Sequence, residues 1–357
     1  MKQYKVAIIG TGDFAPAHYN ALAAAGDRVE IAAAVDINEA AVHAFCTAHQ
    51  IPQWFTDTEQ MLSTVQPDLV HIVSPPGTHR ELAVASLYAG AWVYCEKPLC
   101  VSLAEFDSIS QAEAETGCYV STVFQWRFGS AGKHVKSLIE RGVLGRPLVG
   151  LCQTLWYRGP DYYRIPWRQQ WAGSAGGVAA TMGVHLTDLF LWLMGDWQQV
   201  EAKVGTLNSP AEVEDVAMAL VQFENGAYGS ITSSSISPRQ ETYMRLDFER
   251  ATADVYGIYG YNNANWRFAI ADDATHKAEL EQWRTIKEDV ASSHKVQLAE
   301  MLDSMDRNER PFVSSSEARR IMEFLASIYK SAFTGQAVQR GSILPNDPYY
   351  ISMNDSH

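Results

Sequence analysis

The sequence predicts an α/β protein in two domains: a doubly wound parallel sheet over residues 1–122, then an α+β domain with a mostly antiparallel open sheet over 123–357. Three observations point there. Short apolar runs alternate with helical patterns through the first third of the chain, the rhythm of a parallel sheet with crossover helices. The first run opens directly onto a glycine-containing turn. The second half shifts to apolar runs joined by short turns, which suits antiparallel pairing. A length of 357 residues with 47% hydrophobic content is enough for two cores.

In chain order, Lys5 to Ile9 is a short apolar strand, and Gly10-Thr11-Gly12-Asp13-Phe14-Ala15 is the turn. Ala17 to Ala25 gives a helix stopped by Gly26, and Val29 to Val35 gives a strand closed by Asp36. Asn38 to Ala48 and Thr58 to Val65 are helical, the second with Asp57 as N-cap and Gln60 in the reciprocal position. Leu69 to Val73 is a strand, and Ser74-Pro75-Pro76-Gly77-Thr78-His79 is the loop at its carboxyl end, where ligands gather in open α/β sheets. Glu81 to Ala89 is a helix and Trp92 to Cys95 a strand that runs into Glu96-Lys97-Pro98. Ser102 with Glu105 caps a helix ending near Gly117, and Tyr119 to Gln125 is the fifth strand located in a domain expected to hold six.

A strand, a glycine turn, a helix and a second strand ending in an acid form the dinucleotide-binding, or Rossmann, arrangement. Glycine at the turn lets a pyrophosphate approach, and the helix N-terminus offers it free N–H groups. Asp36 would accept hydrogen bonds from the hydroxyls of an adenosine ribose and repel a 2′-phosphate, so NAD is the expected cofactor. Asn38 and the lack of a following arginine leave NADP open.

Beyond residue 122, strands are expected at Val149 to Trp156, Val200 to Leu207, Val216 to Phe223, Ala227 to Ser233, Thr242 to Glu249 and Thr252 to Ile258. Asn225-Gly226 reads as a type I′ hairpin turn. Helices are expected at Ala131 to Arg141, His185 to Met194, Lys295 to Arg307 and Ser316 to Thr334, on one face of the sheet. The other face then needs a cover, and a second subunit in a homodimer or homotetramer is the expected one.

The net charge of −13 argues against nucleic acid or an anionic membrane as partner. No apolar run reads as a membrane span, and the N-terminus enters a strand without a cleavable signal. Cys46, Cys95, Cys100, Cys118 and Cys152 show neither pairing nor metal spacing. The expectation is a cytoplasmic protein with reduced thiols and no metal.

Lys97 follows a strand at the carboxyl edge of the first sheet, with Pro98 restricting its backbone. It could hydrogen-bond a substrate hydroxyl and stabilise an alkoxide as hydride leaves, or be a surface lysine paired with Glu96. His185 begins an apolar helix after a glycine-rich stretch, with Asp188 one turn on. It could take a proton, or be a satisfied core residue. Residues 156–171 are dense in aromatic and arginine side chains that suit sugar faces, hydroxyls, carboxylates or phosphates, or else a subunit contact. Arg168 and Tyr163 are the preferred substrate contacts there, with Trp126 and Arg127 as weaker members. His18 reads as structural.

These motifs carry a resemblance: Gly10-Thr11-Gly12 with Ala15 and His18, Asp36, Ser74-Pro75-Pro76 with His79, Glu96-Lys97-Pro98, Arg127-Phe128, Gly176-Gly177, and Gly183-Val184-His185 with Asp188. The chain resembles the glucose–fructose oxidoreductase/inositol dehydrogenase (Gfo/Idh/MocA) family over nearly its whole length. The resemblance implies a two-domain NAD(P)-dependent oxidoreductase of sugars or polyols, with Lys97 and His185 matching the family's catalytic lysine and histidine. Gly10, Thr11, Gly12, Asp13, Phe14, Asp36, Ser74, Pro75, His79, Glu96 and Lys97 would then border the cofactor. Many members carry an aspartate four residues before the histidine, where this chain has Thr181, a substrate contact that cannot supply negative charge. Two other readings stay open: a non-catalytic NAD-binding regulator, and an NAD-assisted elimination or imine reduction on the same scaffold.

Overall fold

The computed structural model describes residues 2–272 and 277–355. By contact the chain falls into two compact units, Met1–Val123 with His294–Met322, and Phe124–Ser293 with Glu323–His357.

The first unit holds six strands: β1 (Tyr4–Ile9), β2 (Val29–Val35), β3 (Gln53–Phe55), β4 (Leu69–Ile72), β5 (Trp92–Cys95) and β6 (Val120–Thr122). All neighbouring pairs are parallel, in the order β3-β2-β1-β4-β5-β6. Strands β4 and β5 are buried throughout, because helices cover both faces of a parallel sheet. The order reverses between β1 and β4, and the crevice at their carboxyl ends is the switch point where such sheets bind ligands. Gly10, at the end of β1, has a φ of 94°, and a Cβ there would lie 2.7 Å from the Ser74 nitrogen. Only glycine lets the turn pass this close to the end of β4.

Sequence and structure differ in three places here. Of the six strands expected, β3 was the one not located in the sequence, being three residues long at the sheet edge. The strand expected from Tyr119 to Gln125 is only Val120–Thr122, followed by a 3₁₀ turn at Gln125–Phe128. A single cut at 122 also separates the first sheet from a helix that packs on it. In the helix His294–Arg307, Leu298, Met301 and Leu302 join the core of Val6, Ile8, Leu22 and Tyr94.

The second unit is built on an eight-stranded sheet. Its strands are β7 (Pro147–Tyr157), β8 (Trp197–Gly205), β9 (Val216–Phe223), β10 (Tyr228–Ser234), β11 (Ile236–Phe248), β12 (Ala251–Gly257), β13 (Trp266–Ile270) and β14 (Val338–Gln339). They run in the order β13-β12-β11-β7-β10-β9-β8-β14, and all pairs are antiparallel except β10 with β7. The Asn225-Gly226 hairpin forms, but not as a type I′ turn. Only Gly226 has positive φ, and Gly226 N donates to Phe223 O while Phe223 N donates to Ala227 O. That is the three-residue loop with a bulge glycine.

The run Trp171–Met194 does have the length and apolar composition of a membrane span, contrary to expectation. It lies mostly buried in the second unit, where Phe190 meets Phe223 edge to face. The opposite sheet face exposes Val149 on β7, Met218 and Leu220 on β9, and Tyr228 on β10.

Candidate active site

The sequence-predicted residues of the first unit gather at the carboxyl ends of its strands. Asp36 Oδ2 accepts from Thr11 N at 2.8 Å and Thr11 Oγ1 at 2.9 Å, and Oδ1 accepts from Asn38 N at 2.9 Å. The acid therefore ties the glycine turn to the end of β2. A Cβ on Gly12 would meet nothing within 4 Å, so the turn faces open space there, and Phe14 beside it is 53% exposed. Next to Asp36, Ile37 is 95% exposed and helps line a shallow hollow with Asn38, Glu39, Ala40 and His43. An open glycine turn, an acid and an unprotected aliphatic surface fit the pyrophosphate, ribose and base of a dinucleotide. Ile37 was missed by sequence reasoning. Its signal was an isoleucine directly after the strand-ending acid.

The Ser74–Pro75 loop is pinned from behind. Ser74 Oγ and Thr78 Oγ1 are 2.7 Å apart, and Thr78 Oγ1 donates to Pro75 O. His79, expected at the cofactor, is instead fully buried between Ser74 O at 2.8 Å and Pro98 O at 2.9 Å. Burial pushes its pKa down, and it ties this loop to the Lys97–Pro98 segment.

Glu96 ends a buried polar chain. His18 Nδ1 lies 3.0 Å from His71 Nδ1, and Glu96 Oε1 lies 3.0 Å from His18 Nε2 and 3.1 Å from His294 Nε2. Burial pushes the pKa values of His18 and His71 down, so both rings are neutral. His71 Nε2 has no partner among the described residues, so the tautomer that leaves no N–H stranded carries the proton on Nδ1. His71 then donates to His18, and His18 donates through Nε2 to Glu96. Burial alone would raise the Glu96 carboxyl, but the hydrogen bonds from His18 and His294 outweigh it and hold it well below the usual range. His18, Glu96 and His294 have metal-ligand chemistry and spacing. This proton assignment, however, leaves His18 Nε2 no lone pair for a cation. Glu96 Oε2 accepts from Lys97 N at 3.2 Å, so the network anchors the backbone that carries Lys97.

In the second unit, a π-helical turn, Ala179–Gly183, leads into the helix Val184–Met194 that begins with Val184 and His185. Such turns interrupt helices mostly at functional sites. The turn is set by Glu214, buried, which accepts from Gly177 N at 2.7 Å, Ala179 N at 3.0 Å and the Tyr329 hydroxyl at 3.0 Å. A Cβ on Gly177 would lie 1.8 Å from Glu214 O, which explains the glycine. Desolvation raises the Glu214 pKa to about 7 against these hydrogen bonds. Thr181 Oγ1 donates to Gly177 O at 2.6 Å and also bonds the Tyr162 hydroxyl.

Two further expected substrate contacts turn out to be spent inside this unit. Arg127 is 1% exposed and donates to Asp188 through Nε at 2.7 Å and a second nitrogen at 2.5 Å. Asp188, one turn beyond His185 on its helix, accepts both of these bonds. Tyr163 is 6% exposed, with its hydroxyl 2.8 Å from Ser235 Oγ. On that loop it is Tyr162, flanked by Arg158 and Arg168, that lies against the turn before His185.

Comparison with known proteins decides the family. A model of the oxidoreductase family's NAD-binding Rossmann domain matches residues 4–124, and one of the GFO/IDH/MocA C-terminal domain matches residues 133–260. The chain belongs to the Gfo/Idh/MocA oxidoreductase family. Among its relatives, D-glucoside 3-dehydrogenase of Escherichia coli is 24% identical, with 94% of this chain and 97% of the relative aligned. Myo-inositol 2-dehydrogenase of Thermotoga maritima is 25% identical over 64% of this chain and 68% of the relative. The solved WlbA dehydrogenase of Bordetella pertussis, in complex with NADH and UDP-GlcNAcA, is 25% identical with a TM-score of 0.85, covering 97% of this chain and all of that one. As a member of this family the protein is an NAD-binding oxidoreductase, and Gly10, Gly12, Asp36 and Ile37 are the residues whose geometry fits that cofactor.

Proposed function

We propose that the protein moves a hydride between the nicotinamide of NAD and a secondary alcohol of a sugar, sugar derivative or cyclitol. The observation that carries this is Lys97 at the carboxyl end of β5, its backbone held through Glu96 by a buried histidine chain, within an NAD-binding oxidoreductase fold. A lone surface lysine needs no such anchor. The relatives support the substrate class, since they act on a glucoside and an inositol, and one holds a nucleotide sugar.

When bound, the nicotinamide supplies the hydride acceptor. Lys97 would hydrogen-bond the reacting hydroxyl and take its proton as charge develops on oxygen. His185 would orient a substrate hydroxyl, with Thr181 on the turn before it. Thr181 brings no negative charge to the imidazole, so the proton transfer rests more on Lys97. Asp36 favours NAD over NADP. The exposed apolar face of the second sheet supports a homodimer, and the reduced, mostly buried cysteines support a cytoplasmic location.

The test is NADH production across a panel of sugars, anhydrosugars, inositols and sugar acids, with product analysis. Net NADH formation with a ketone product is expected from at least one class. A substrate transformed with no net NADH would replace the dehydrogenase with an elimination that recycles its cofactor.

A further inference from the structure

The aromatic loop of the second unit carries a built cationic group. The Arg158 guanidinium lies 5.0 Å from the Trp156 ring centroid, 5.7 Å from that of Tyr162 and 6.0 Å from that of Tyr259. It donates to the Tyr259 hydroxyl at 2.7 Å and to Tyr157 O at 2.9 Å. These contacts hold it in one place, yet among the described residues it makes no ion pair. The acids nearest in sequence or pairing are committed elsewhere: Asp161 to Arg164 at 3.1 Å and Glu241 to Arg239 at 3.5 Å. On the same Tyr162 ring sits a second cation, Arg168, at 4.3 Å. Arg168 Nη1 also donates to Tyr162 O at 3.4 Å, so both guanidiniums are held beside that residue. The chain is acidic, with a net charge of −13, so a generally cationic surface does not account for two arginines at one ring. Tyr162 also bonds Thr181, four residues before His185.

We propose that Arg158, Tyr162 and Arg168 form a subsite for an anionic oxygen group, a carboxylate or a phosphate, carried by the substrate. The substrate is then a sugar acid or a phosphorylated sugar rather than a neutral one, with its acidic group on the arginine pair and its hydroxyls toward Thr181 and His185. Guanidinium forks suit either anion bidentately, and the flanking rings suit the sugar's C–H faces. The inference refines the sugar reading above and rests on it.

The test has a turnover arm and a binding arm, so that failure of the two readings can be told apart. In the first, kcat/KM with NAD is compared for D-glucose, D-glucuronate and D-glucose 6-phosphate, and for further neutral, uronate and phosphate triads of other sugars. An anionic member should exceed its neutral parent at least 10-fold, with the advantage shrinking in high salt. Which anion wins separates carboxylate from phosphate. Arg158→Met should raise KM for that substrate 10-fold or more with kcat little changed, and should raise KM for its neutral parent by a smaller factor. Arg158→Lys should recover part of the loss.

In the binding arm, calorimetric titration of the full chain with the same compounds needs no turnover. Binding of an anionic sugar that falls 10-fold in the folded Arg158→Met variant supports the subsite even if no hydride moves, in which case it is the dehydrogenase reading that fails. Neutral sugars bound or turned over as well as anionic ones, no anionic sugar bound at all, or Arg158→Met without effect on the best anion would each overturn the proposal.

Discussion

Asp36 and Thr11 show how a single side chain can serve both structure and specificity. The carboxylate holds the glycine turn through Thr11 and remains the negative group at the end of β2. Asp36→Asn keeps a hydrogen-bonding oxygen and removes the charge, so it should lower the NAD-to-NADP ratio of kcat/KM about 10-fold, an energy near 1.4 kcal/mol. A strong NADP preference in the unmodified protein would overturn the role given to this residue. Gly10, Gly12 and Asp36 were legible because their chemistry is set by spacing within one βαβ unit. His71 and His294 were not, since they lie 53 and 198 residues from the partners they bond. Arg127, His79 and Tyr163 were misplaced for a related reason: a polar residue beside a motif looks the same in sequence whether it faces a ligand or an interior partner.

The helix that begins with Val184 and His185 is fixed by two buried carboxylates, and each gives a test. Arg127→Met leaves Asp188 buried without its guanidinium, and should cost about 3–5 kcal/mol in urea unfolding. A loss under 1 kcal/mol would mean that the pair does not hold the helix. For Glu214 the sign follows from a folded pKa of about 7, above the usual carboxyl value of 4.5. The protonated form is the one favoured on folding, so its contribution is full below the unfolded pKa and is lost as pH rises through about 7. The difference amounts to roughly 3 kcal/mol. Glu214→Gln should therefore flatten the decline in unfolding free energy between acid and neutral pH, and an unchanged slope would contradict the assignment. The helix itself was readable from its apolar run after glycines. The π turn before it was not, because it depends on Glu214, a residue from another part of the chain.

At the scale of the molecule, the change from strand–helix alternation to hairpins gave the two kinds of sheet directly. What escaped was long-range: the parallel pairing of β10 with β7, and the return of residues 294–322 to the first unit. Neither leaves a local periodicity. The exposed face with Met218, Leu220 and Tyr228 belongs to the same scale. Under the homodimer proposed for that face, the unmodified protein should sediment as a dimer and Leu220→Lys as a monomer with little loss of monomer stability, whereas an unmodified protein of monomer mass would remove the interface. The central claim is that one amine, held at the carboxyl edge of the parallel sheet, carries the proton in a hydride-transfer reaction. Its most direct test is the initial rate of Lys97→Met at saturating NAD, with NADH binding followed in parallel. A rate lower by at least about a hundred-fold with binding intact is the expected result. A near-normal rate would contradict it.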